Sequence, residues 1–197
     1  MNEKYIGTGR KNQKLKTRDK ILESTQSLME NSENLTLEDV AKKAGISRAT
    51  IYRYYSKIEI LVAEAVLDLN TKSTEEIIED VRHMELDKAI IAIQDYYNNL
   101  TIDHEAGFRK YMSVVLNAEQ SKKMRGARRK KTLQKLFKDK AKHLSASERE
   151  NLANLATVLM GIEAFVVTKD VCDLDNQQSK EVLNWGLKQV LQSVLKS

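Results

Sequence analysis

Proline is absent from this 197-residue chain, and there is one cysteine, one tryptophan and only seven glycines. Without proline, the strongest helix breaker is missing, so long Ala, Leu, Glu and Lys-rich stretches are free to run as helices. Aromatic residues make up 6% of the chain, and no segment alternates apolar and polar residues convincingly enough to suggest a strand. Cys172 is alone, so no internal disulfide can form. No run approaches the ~18–20 apolar residues of a membrane span. The N-terminus is polar and basic and lacks the apolar core of a secretory signal. These absences predict an all-α, soluble, cytoplasmic protein with no membrane partner. Catalytic signatures are missing too. His83, His104 and His143 are far apart, with no H-x-x-x-H or C-x-x-C spacing, and no G-x-S-x-G, P-loop or Rossmann glycine pattern occurs. Asp170, Asp173 and Asp175 form an acidic corner without the glycine and glutamate of a calcium loop. An enzyme, a metal and a cofactor are therefore not expected.

What is present centres on Thr36 to Leu61. T-L-E-D at Thr36 is a capping-box pattern, in which a hydroxyl and a carboxylate three residues on satisfy free backbone N–H groups. Leu37, Val40, Ala41 and Ala44 then share one apolar face at helical spacing. Gly45 ends that helix, because glycine enters the left-handed turn without steric cost. Ser47 caps the next helix, and Ser56 with Glu59 suggests a further capping box. Helix, short glycine turn, helix is the helix-turn-helix pattern. In the second helix, Ile46 and Ile51 hold inward while Ser47, Arg48, Thr50, Tyr52 and Arg53 present polar ends. Arginine pairs bidentately with guanine, and Thr or Tyr meets thymine methyls or phosphates. Charge agrees: residues 1–57 hold 12 Lys/Arg against 7 Asp/Glu, whereas the remaining residues hold 21 of each. All the excess positive charge lies in the part expected to meet a polyanion. A plain helical hairpin with a solvated face is the alternative reading.

Residues Arg18 to Leu61 resemble the N-terminal domain of the TetR (tetracycline repressor-like) family of bacterial transcription regulators. The resemblance rests on R-x-x-I-L from Arg18 to Leu22, T-x-x-x-V-A-x-x-A-G from Thr36 to Gly45, and I-S-x-x-T-I-Y from Ile46 to Tyr52. The aromatic Tyr55 and Leu61 complete it. It implies a homodimeric repressor of a palindromic operator, released by a small-molecule effector, with residues 1–56 as a DNA-binding domain. Residues 57–197 would form a helical ligand-binding and dimerisation domain. The implied DNA-contacting residues are Thr36, Ser47, Arg48, Ala49, Thr50, Tyr52, Arg53, Tyr54 and Lys57. Two positions depart from the family. Ile58 stands where a phosphate-contacting lysine is usual, and Asn31, Glu33 and Asn34 replace a common glycine between the first two helices. Ile58 keeps a rival reading open, a helical interaction module that no longer binds an operator. A regulator without a ligand, or an activator, also stays open.

Before and after this unit the pattern stays helical. Met1 to Lys16 reads as a basic arm, with Arg10 to Lys16 nearest the DNA-binding unit. A first helix is expected over Thr17 to Asn31, and a long one from Ser56 to about Met84. Tyr96, Leu100, Phe108, Met112, Leu116, Phe137, Leu159 and Glu163 are candidates to line an effector cavity between helices. Glu163 equally suits a salt bridge at a dimer seam. Leu152 to Val167 is apolar on most sides, which calls for burial on most sides. With a last helix from Ser179, it supplies Leu155, Leu159, Ala164, Val167, Val182, Gly186 and Val190 as a candidate dimer interface. The very basic stretch Lys122 to Lys142 is expected to be neutralised by acidic residues between 58 and 105 rather than to touch DNA.

Overall fold

A computed structural model describes residues 3–29, 35–117 and 128–195, and among these every regular element is an α-helix. The first four are α1 (Glu3–Met29), α2 (Leu37–Lys43), α3 (Arg48–Tyr54) and α4 (Ile58–Leu69). Then come α5 (Thr74–Asp80), α6 (Leu86–Asp103) and α7 (Glu105–Asn117). The last four are α8 (Arg128–Lys140), α9 (Ala146–Val158), α10 (Ile162–Asp170) and α11 (Asn176–Leu195). The fold is all-α, a helix-turn-helix head followed by a helical C-terminal domain. Two compact units can be distinguished, residues 1–70 with 109–125 and residues 71–108 with 126–197. In that division α4 goes with the head, although the sequence suggested a boundary at 56/57.

The head is built as its sequence pattern requires. Thr36 accepts from the Asp39 N–H at 3.2 Å, and Asp39 accepts from the Thr36 N–H at 3.1 Å, so the capping box starts α2. Gly45 sits at φ +60°, where a side chain is disfavoured. The chain turns there with the Ile46 N–H donating to the Ala41 carbonyl at 3.0 Å. Ile21 and Leu22 of α1, Val40 of α2, Ile51 of α3 and Leu61 of α4 close into one buried cluster. Burying side chains of this size contributes about 1.5–3 kcal/mol each. Gln26 of α1 donates to the Ala65 carbonyl of α4 at 3.1 Å. Arg18 of α1 pairs with the nearly buried Glu64 of α4.

Several expectations are corrected. The basic arm is helical from Glu3, continuous with α1. Ser56 caps nothing: the residue before α4 is Lys57, which makes no side-chain cap bond. The long helix expected from Ser56 to Met84 is two helices, α4 and α5. Asn70 ends α4, and Ser73 with Glu76 forms a capping box that starts α5. The region from Leu152 to Val167 is also broken. Gly161, at φ +84°, separates α9 from α10. The junction at Asn31, Glu33 and Asn34, and Lys122, Lys123 and Arg125 of the basic stretch, lie outside the described residues.

The second unit packs α5, α6, α8, α9 and α11 around Ile90, Ile93, Leu133, Phe137, Ala156 and Leu187. Two of its buried polar residues reach the break at Gly161. Gln94 donates to the carbonyls of Leu159 at 2.8 Å and Leu183 at 3.0 Å, and Asn98 accepts from the Gly161 N–H at 3.0 Å. Left unpaired, each such backbone group would cost about 1–3 kcal/mol. Among the described residues, no single helix is long and apolar enough to cross a membrane.

Candidate nucleic-acid interface

The outer face of α3 follows from which of its residues the core takes. Ile51 and Tyr55 are buried, one turn apart on the inner side. Residues at positions 48, 49, 52 and 53 cover the rest of the helix surface, and all four are exposed. Ser47 caps the helix by accepting from the Thr50 N–H at 3.1 Å, and its hydroxyl lies 2.9 Å from the Thr50 hydroxyl. These two side chains are thus partly spent on the helix start. Thr36 is spent likewise on the start of α2. Arg53 lies over the Tyr54 ring, 5.8 Å from its centroid. Tyr54 is half-buried, and its hydroxyl reaches the Lys14 carbonyl of α1 at 3.4 Å. Lys57 is exposed at the start of α4, while Ile58 packs against the head core. An isoleucine at 58 thus adds apolar packing where a lysine would have added a charge.

Sequence reasoning overlooked one member of this face. Glu38, in the first turn of α2, reaches across to α3. Its Oε1 accepts from the Tyr52 hydroxyl at 2.9 Å and lies 3.0 Å from Arg48 Nε. The Arg48 guanidinium also lies 5.6 Å from the Tyr52 ring centroid. The Tyr52 hydrogen bond, more than the Arg48 charge, holds the Glu38 carboxyl below the usual carboxylate range. Thr36 does the same for Asp39. Nothing in the spacing of the sequence signalled that Glu38 of α2 meets α3.

Residues 30–65 match the family described as bacterial regulatory proteins, tetR family. That match lies within the head. A solved structure extends the likeness to the whole fold: a TetR transcriptional regulator from Rhodococcus sp. RHA1 superposes with a TM-score of 0.54. That match is 12% identical and covers 90% of this chain and 97% of the other. No curated protein matches this chain. The polar face of α3 lies within the residues that match.

The other expected site residues are distributed as follows. Leu100 and Phe137 are buried in the second core, with Tyr96, Phe108 and Leu159 packed against it. Tyr96 accepts from the Lys72 N–H at 2.6 Å and meets Tyr97 edge-on at 5.1 Å. Met112 and Leu116 lie on the part of α7 that belongs to the first unit, Leu116 exposed. Glu163 is bonded within the chain, accepting from Arg129 at 2.7 Å. A cleft of about 660 Å³ lies elsewhere in the second unit, between Leu86, Ile91, His143, Lys188 and Leu191, and none of the expected ligand residues lines it. Of the residues expected at a dimer seam, Leu155, Val167 and Val182 are exposed. Leu159, Gly186 and Val190 are half-buried, and Ala164 is buried. Beside the exposed three lie Val158, Val171 and Trp185, 65%, 77% and 64% exposed, which the sequence reading did not include.

Proposed function

We propose that the protein is a cytoplasmic homodimeric repressor that binds a palindromic DNA operator and is released from it by a small molecule. The observation that carries this reading is the exposed face of α3, with Arg48, Ala49, Tyr52 and Arg53 on a head matched to the tetR family. The excess of basic residues in the first 57 positions supports a polyanionic partner. Thr36, Ser47, Thr50, Tyr54 and Lys57 surround that face and would supply backbone-positioning contacts, which carry no base information.

Self-association is supported by the apolar residues left in solvent. Leu155 and Val158 on α9, Val167 on α10 with Val171 at its C-cap, and Val182 and Trp185 on α11 are pairs three or four residues apart, all exposed. Six large apolar side chains at helical spacing form a surface that water disfavours, and a second copy of the chain is the occupant we propose. A two-fold pair presents two α3 helices, so the operator would be an inverted repeat. Effector release would then operate by linkage. A ligand that binds the DNA-free form more tightly weakens operator binding by the same factor by which DNA weakens the ligand. Tyr96, Leu100, Phe108 and Glu163 remain our candidates for the effector site.

Selection of duplexes by the purified protein tests the reading, with sedimentation at micromolar concentration alongside. The expected result is a dimer that selects an inverted repeat. Arg48→Ala should then cost about 1–3 kcal/mol on the best site and relax one position of each half. A monomer, or a protein that selects no sequence, would refute it.

A further inference from the structure

Glu38 places a negative charge on the face that must approach phosphates. As a surface ion pair its contact with Arg48 contributes little to stability, because Arg48 is 74% and Glu38 43% exposed. Stability therefore does not account for a geometry in which one oxygen accepts from the Tyr52 hydroxyl and also pairs with the Arg48 guanidinium, one turn apart on α3. Both groups belong to the side chains best placed to read or hold DNA. In the free protein both are already committed.

Resting on the DNA-binding function proposed above, the geometry points to Glu38 as a specificity-determining residue. It occupies Arg48 and Tyr52 away from the operator and yields them to a G·C pair.

The chemistry of the two kinds of DNA contact separates the outcomes. A phosphate offers Arg48 an acceptor, but it brings negative charge towards Glu38 and returns no donor to it. Non-specific DNA is therefore penalised twice. A G·C pair offers both halves of the exchange in the major groove. Guanine O6 and N7 accept from the arginine, and the cytosine amino group donates to the carboxylate. Neither A·T orientation offers the paired guanine acceptors that suit arginine. Glu38 is thus a competitor that the correct base pair satisfies and the backbone does not.

The test uses the full chain, its selected operator and a scrambled duplex of equal length, with binding measured across a salt series. Glu38→Ala should bind the scrambled duplex more tightly than the parent. The slope of log affinity against log salt should steepen by about 0.9, as Arg48 becomes free to take a phosphate. On the operator, Glu38→Ala should lose about 5- to 150-fold of its discrimination at one G·C position, the size of one mismatch. Arg48→Ala should lose discrimination at that same position. Glu38→Gln keeps the side-chain shape without the charge, and it should also tighten scrambled binding. Unchanged or weaker scrambled binding in both Glu38 variants would overturn the inference, as would relaxation of different positions by Glu38→Ala and Arg48→Ala. A parent protein that selects a motif, with variants that behave this way, overturns this inference alone. A parent that selects none overturns the DNA-binding reading as well.

Discussion

Replacing Gly161 with alanine tests how the second unit holds its bent α9–α10 pair. Gly161 has φ +84° and ψ −171°, a region that side chains rarely enter, and forcing one there costs about 1–3 kcal/mol. The added Cβ would also collide with the Arg129 guanidinium, with Cζ at 3.1 Å and Cδ at 3.3 Å. Arginine is flexible, so the clash alone would be cheap. This guanidinium, however, is anchored, donating to the Met160 carbonyl and, at 2.7 Å, to Glu163. Displacing it gives up charge-assisted bonds worth about 1.5–3 kcal/mol. The combined loss for Gly161→Ala is therefore about 3–5 kcal/mol, or roughly 6–20 °C in Tm for a chain of this length. Urea unfolding would be followed by far-UV circular dichroism and by the single tryptophan, Trp185, which lies in the same unit on α11. Arg129→Ala alone should lose only the second part. In an Arg129→Ala background, Gly161→Ala should cost only the backbone part, leaving a coupling energy of about 1.5–3 kcal/mol between the sites. A loss below about 1 kcal/mol for Gly161→Ala would refute the argument. So would equal costs in the two backgrounds.

The basic helix α8 should contribute little to operator affinity, because most of its charges are already answered within the second unit. Lys130 pairs with Glu150 at 2.5 Å and Lys135 with Glu75 at 2.7 Å. Changing Lys130, Lys131 and Lys138 together to Gln should leave the salt slope of DNA binding unchanged, whereas a fall of about two units would place α8 on DNA. In the head, burial pushes the Tyr55 hydroxyl up to about 12 against the opposing pull of Arg18. The folded form thus keeps a proton that the unfolded chain releases near the ordinary value of about 10. This contribution is complete below pH ~10 and is lost as pH rises through about 12. By pH 11 the parent should have lost about 1 kcal/mol more stability than Tyr55→Phe, measured by urea midpoints, and parallel curves would refute it.

The head was largely legible because its local signals agree with one another. The capping box at Thr36, the apolar face of α2, the glycine turn and the Ser47 cap all point to the same two helices, and all are realised. Where a signal stood alone, it misled. Ser56 and Glu59 have the spacing of a capping box, but Tyr55 is drawn inward with an extended backbone, and the helix begins at Ile58. The S-T-E-E run at Ser73 has the same spacing and does form the box. Spacing identifies candidates, and core packing on either side decides between them. The α3 face was legible for the same reason, since Ile51 fixes which side is inward. The engagement of Arg48 and Tyr52 by Glu38 was not, because no one-dimensional pattern says which residues of α2 and α3 meet.

The second unit was harder to read because its helices end for tertiary reasons. Nothing local distinguishes Leu152 to Val167 from one continuous apolar helix except Gly161, and a glycine inside a helical pattern is tolerated at ~1 kcal/mol. The break becomes stable only because distant side chains answer the backbone groups it frees. Gln94 and Asn98 of α6 and Arg129 of α8 supply those bonds. This has a consequence for the surface. The apolar content of the stretch predicts burial on most sides, and a straight helix would have had to find it within one chain. Once bent, α9 buries Leu152 and Ala156 and leaves Leu155 and Val158 in solvent, while α10 buries Phe165 and leaves Val167, and Val171 at its C-cap, exposed. The unsatisfied half of the apolar pattern is thereby gathered on residues that no part of the described chain covers. If a second copy covers them, Val167→Glu should dissociate the dimer while leaving the helix content of the monomer intact. If the charge leaves sedimentation unchanged, the apolar residues do not form the seam.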